Sequence, residues 1–143
     1  MSDLYDRDIV EWSAHQTDLL RRIAAGEAVN EAPDWFNIAE EIESVGSEQH
    51  RAVESLLLRA ILHLLKIEAW PQSRDVPHWR SEARLFRAQA RRRFVPSMRQ
   101  RLDVEGLYAD ALRALPEASD GLPPLAVSSV CTMTLDGLLQ EAG

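Results

Sequence analysis

Apolar positions recur at helical spacing along this chain, and no stretch sustains the period-two alternation of a half-buried strand. Tyr5, Ile9, Trp12, Gln16, Leu19, Leu20 and Ile23 mark one face of a first helix that starts at Ser2 or Asp3, either a good N-cap, and stops at Gly26. Asp34 is placed to cap a second helix with Trp35, Ile38, Ile42 and Val45 as its inward face. Gly46-Ser47 predicts a kink or short break, after which a third helix covers residues 48–69. Between residues 56 and 67 its apolar side chains cover most of the circumference, the pattern of a helix at the centre of a bundle. Pro71 ends it, because proline disfavours helical backbone at the preceding residue. A fourth helix starts within residues 75–77, carries Trp79, Ala83, Phe86, Ala90 and Phe94 on one face and stops before Pro96. Shorter helical pieces follow at 96–102 and 104–115, then a turn-rich segment at 116–124, an extended or irregular one at 125–133 and a last short helix capped by Thr134. The expected fold is all-α, a single-domain bundle of five to six helices spanning residues 1–143 around a central hydrophobic helix.

Composition fits one hydrophobic core: 143 residues with 45% apolar content need neither disulfides nor a structural metal to hold a domain. The single cysteine, Cys131, closes no intrachain bridge and reads as a small buried hydrophobe; with an acidic N-terminal stretch that resembles no targeting peptide, it points to the cytoplasm. Residues 56–67 are interrupted by Arg59, His63 and Lys66, so no membrane span is expected. The net charge of −7 argues against a generic nucleic-acid or membrane binder, yet it is unevenly distributed: −8 over residues 1–70, +7 over 74–101 and −6 over 102–143.

Two constellations could carry chemistry. Ser55, Arg59, His63, Lys66 and Trp70 recur every three or four residues as a polar stripe on the central helix, which must meet solvent or polar partners. Glu40, Glu41 and Glu43 on the preceding helix are the expected partners, as ion pairs or as a Glu/His site between the two helices that could bind a metal or perform acid–base work. Glu-x-x-His, His-Glu-x-x-His, Cys-x-x-Cys, phosphate-cradling glycine loops and Gly-x-Ser-x-Gly are all absent, so an ion-paired or solvated helix face is favoured, with no assigned metal or cofactor. Glu11 and His15 form a further possible pair, expected to be an exposed helix contact. The second constellation is the arginine face Arg80, Arg84, Arg87 and Arg91, displaced from the Trp79 and Phe86 stripe. Guanidinium forks suit carboxylate and phosphate alike; the acidic remainder of the chain favours pairing within the molecule or with a second copy, then another protein partner, over nucleic acid. Trp12, Trp35 and Trp79 are expected core anchors, while Trp70 could cover Lys66 or line a pocket.

These residues also carry a resemblance. Leu4-Tyr5-Asp6-x-Asp8 with Trp12, Asp34-Trp35, Ala39-Glu40-Glu41-Ile42-Glu43-Ser44-x-Gly46, His63-Leu64-Leu65-Lys66, Trp79-Arg80, Tyr108 and Cys131-x-x-Thr134-Leu135-x-x-Leu138-Leu139 resemble the bacterial family known as domain of unknown function twenty-nine, over nearly the whole chain. The resemblance implies a small, mostly cytoplasmic helical bundle without an established activity, in which the acidic motif packs against His-Leu-Leu-Lys. Ile67 departs from the aromatic residue that commonly follows the family's lysine. The leading expectation is a non-enzymatic interaction or regulatory module, with the Glu/His site or nucleic-acid binding as alternatives.

Overall fold

A computed structural model describes residues 3–140. The protein is all-α: α1 (Asp3–Arg7), α2 (Ile9–Ala24), α3 (Trp35–Ala69), α4 (Val76–Arg93), α5 (Val104–Ala114) and α6 (Leu135–Leu139), with a 3-10 turn at Pro96–Met98. Contacts group into two compact units, Met1–Ser47 and Glu48–Gly143, with the boundary inside α3.

The predicted first helix is two helices, because the Asp8 carboxylate accepts the Glu11 N–H and caps α2 instead of continuing α1. The predicted start at Ser2 lies outside the described residues. Gly26, at φ +82°, ends the segment as expected, with its N–H on the Ile23 carbonyl and the Glu27 N–H reaching back to Arg22. The break predicted at Gly46 does not form. Its backbone is helical and its flank is open, and one glycine in a 35-residue helix costs only about 0.5–1 kcal/mol. The expected second and third helices are therefore one element.

In the first unit the buried side chains are few. Trp12 and Leu19 form its apolar centre, and the buried Gln16 accepts the Asp34 N–H at 2.8 Å. Tyr5 packs edge-on against Trp12 with ring centroids 4.8 Å apart. The second unit holds the main core. Val53, Leu57, Ile61 and Leu65 of α3 are fully buried against Ala90 of α4 and Tyr108 and Ala111 of α5. The Tyr108 hydroxyl donates to the Ser128 carbonyl at 2.7 Å, tying the irregular segment to α5. A smaller cluster of Ala69, Trp70, Val76 and Trp79 closes the junction of α3 and α4. Thr134 caps the last helix as expected by accepting from Gly137, Asp103 caps α5 by accepting from Gly106, and Asp75 precedes α4 without a side-chain cap bond. No described helix is long and apolar enough to cross a membrane.

Candidate interaction site

In the first unit Asp34 fixes where α3 starts. Its carboxylate accepts from the Trp12 indole at 3.0 Å and the Asn37 amide at 2.8 Å, and its carbonyl accepts the Ile38 N–H. The Asn37 and Trp12 donors hold the Asp34 carboxyl below its ordinary range. One turn on, the Tyr5 hydroxyl donates to Glu41 at 2.6 Å, and that bond to a carboxylate pushes the phenol up to about 12. Glu41 is half-buried; Glu40 and Glu43 are exposed.

These contacts use one edge of α3 and leave the stripe expected to face inward largely uncovered. Trp35 is 59% exposed, Ile42 69% and Val45 60%, and only Ile38 is half-buried. The core role expected of Trp35 is thus corrected, whereas Trp12 and Trp79 are buried. The physical reason is the reach of the unit's other helices: Trp12 and Gln16 of α2 engage Asp34, ahead of α3, and the five-residue α1 reaches α3 through Tyr5 at Glu41, at the edge of this stripe rather than over it. At 100° per residue, Val45, Ile38, Ile42, Trp35, Gly46 and Ala39 fall within an arc of about 120° without a charge. Phe36, 75% exposed, adds to it and shares a row with Glu40 and Glu43 at i+4 and i+7. Phe36 was not singled out from the sequence, although that spacing is readable there. His15 pairs with Glu31 at 2.9 Å rather than with the predicted Glu11.

The polar stripe of α3 lies in the second unit, and the three glutamates lie in the first, along one uninterrupted helix. The pair of separate helices between which a Glu/His site was expected is not formed. Within the second unit the stripe's cations meet aromatic rings instead of carboxylates: the Arg59 guanidinium sits 5.8 Å from the Phe86 centroid and the Lys66 ammonium 5.9 Å from that of Trp79. His63 packs against Phe86 at 5.5 Å, and its Nδ1 bonds the Arg59 carbonyl at 2.7 Å. Trp70 is buried, donates to the Leu122 carbonyl at 3.0 Å and stands 6.3 Å from Trp79. Among the described residues no three His, Cys, Asp or Glu side chains are grouped to hold a metal ion.

The α4 arginines divide into two sets. Arg87 donates to the carbonyls of Leu138, Gly137 and Gln140 at 2.9–3.2 Å, and Arg91 to that of Gln140 at 3.4 Å, so a cationic fork stops α6 where its own carbonyls run out of donors. Arg80 and Arg84 are exposed, and among the described residues neither has an ion pair. Arg92 and Arg93 line a groove of about 480 Å³ with Ser55, Leu56 and Gln89.

Comparison with known proteins adds the family. The family model described as Domain of unknown function DUF29 matches residues 4–142. Among solved structures the fold is similar to an alpha-helical protein of unknown function from Rhodospirillum rubrum, with a TM-score of 0.68, 26% identity, and coverage of 99% of this chain and 92% of that one. No curated protein matches. With a matched span that includes the acidic segment of α3, the aromatic-covered cations and the Thr134 cap, the chain belongs to the DUF29 family, a domain of unknown function.

Proposed function

We propose that this chain is a non-enzymatic interaction module, working in a bacterial cytoplasm, whose first unit binds protein through the uncovered face at the start of α3. The carrying observation is the exposed set Trp35, Phe36, Ile42 and Val45 on one short helical stretch. Together these side chains offer water several hundred Å² of apolar surface by order of magnitude, a patch size that marks interaction sites. The first unit has eleven carboxylates against three arginines in its sequence, so its complement is an apolar surface with positive charge.

A second copy of the chain carries such a surface on α4, where six arginines face a single acid, Glu82. Arg80 and Arg84 are exposed there on one face, and Leu85, about 100° further round the helix, is 49% exposed. Guanidinium groups stack on aromatic rings while their forks bind carboxylate, and a strip of Trp35, Phe36, Glu40 and Glu43 offers both. The fold already uses cation-over-ring contacts at Phe86, Trp79 and Phe94.

Native mass spectrometry across a salt series tests the reading. A concentration-dependent oligomer that dissociates as salt rises is expected, because the charge component is screened while the apolar component persists. Ile42→Asp with Val45→Asp, or Arg80→Glu with Arg84→Glu, should each leave a folded monomer. A chain that stays monomeric at every concentration and salt, and binds no acidic or basic protein surface, removes the proposal.

A further inference from the structure

The second unit contains a cavity that the proposed interaction does not use. It holds about 490 Å³ and lies between the segment following α3 and the turn at residues 119–122, within the size range of sites for small organic ligands. Its apolar walls are Trp70, Pro71, Leu122, Pro123 and Leu125.

The cavity is built by local chemistry. Asp120 and Gly121, at φ +51° and +77°, form a two-residue turn of the Asp-Gly type, closed by reciprocal 3.0 Å bonds between Ser119 and Leu122. Two further bonds hold this turn against the end of α3: the Trp70 indole donates to the Leu122 carbonyl at 3.0 Å, and the Leu125 N–H to the Ala69 carbonyl at 2.9 Å. The Trp70 N–H and the backbone groups of Leu122 are thereby consumed, so these walls offer a ligand apolar surface only. Polar recognition falls to side chains, and the lining includes one cation and one anion, Arg74 and Asp120. Among the described residues neither is in an ion pair, with the other or with any third group.

Two unpaired charges of opposite sign on one apolar cavity define a ligand class. We propose that this cavity binds a small zwitterion with a large apolar body, of the class of hydrophobic α-amino acids. The carboxylate meets Arg74, the ammonium meets Asp120, and the side chain displaces water from the exposed walls Leu122 and Leu125. A purely anionic amphiphile would leave Asp120 opposed to its head group, and a purely cationic one would oppose Arg74.

Isothermal titration of the full chain with L-phenylalanine, 3-phenylpropanoate and 2-phenylethylammonium tests this, since the three share a ring and differ only in charge. L-Phenylalanine should bind about tenfold or more tightly than either single-charge probe, the scale of one hydrogen bond to a charged group. Arg74→Ala should weaken L-phenylalanine and 3-phenylpropanoate by about that factor and spare 2-phenylethylammonium. Asp120→Asn, which keeps a residue suited to positive φ, should do the reverse for the two ammonium probes. Circular dichroism establishes that both variants fold. No binding by the folded wild type at millimolar probe, equal affinity for all three, or indifference to both substitutions would each overturn the assignment.

Discussion

Asp34 and Tyr5 titrate in opposite directions, and both tie the pH response of the first unit to named bonds. The Asn37 and Trp12 donors lower the Asp34 carboxyl from 3.8, so the stability it contributes is present above that value and disappears as pH falls through the lower folded one. Tyr5 is raised from 10.0 to about 12 by its bond to Glu41, so its contribution is complete below pH 10.0 and is lost as pH rises through about 12. Thermal melts across both ranges should show an acid limb that shrinks in Asp34→Asn and an alkaline limb absent from Tyr5→Phe. An unchanged alkaline limb in Tyr5→Phe would contradict the bond. In the second unit Tyr108→Phe removes the hydroxyl bonded to Ser128 from a ring that is 1% exposed, and urea unfolding should register a loss of about 1–2 kcal/mol. Asp34 as a cap and the burial of Trp12 were legible from spacing alone. The Tyr5 to Glu41 bond was not, because its partners are 36 residues apart and meet only once α3 has a direction.

Helix boundaries followed local signals wherever a cap, a proline or a positive φ decided them, as at Gly26, Pro71, Asp103 and Thr134. They departed where two local signals competed. At Asp8 the side chain's bond to Glu11 outweighed the helical run that the apolar spacing suggested. At Gly46 the propensity cost of one glycine was too small to interrupt hydrogen bonds on both sides. Gly46→Ala therefore adds helix propensity without meeting any atom within 4 Å, and should raise stability by about 0.5–1 kcal/mol in denaturant titration. A loss of stability would indicate a hinge instead. Thr134→Ala, by contrast, removes the acceptor for the Gly137 N–H and should cost about 1 kcal/mol.

For the whole molecule the charge segregation is the property with consequences in solution. Eleven carboxylates in the first unit and six arginines on α4 predict association that weakens with salt, whereas an apolar contact alone would strengthen or hold. Sedimentation velocity at low and high salt separates the two, and mixing the Ile42→Asp/Val45→Asp chain with the Arg80→Glu/Arg84→Glu chain should recover one heterologous contact and so a heterodimer. Pattern and composition by themselves determined the all-α class and the central position of residues 56–67, because helical periodicity, caps and prolines act within a few residues, while the family rested on the resemblance of particular motifs. They also located the arginine helix, since charge is additive along a sequence. Tertiary structure alone decided what each face meets. The stripe at Arg59, His63 and Lys66 looked like a partner for carboxylates, and the fold brought it Phe86 and Trp79. The stripe at Trp35, Ile42 and Val45 looked like core, and the fold left it open. An amphipathic pattern records that a helix has an apolar face; whether that face is covered depends on how many other faces of the right size the chain can bring to it.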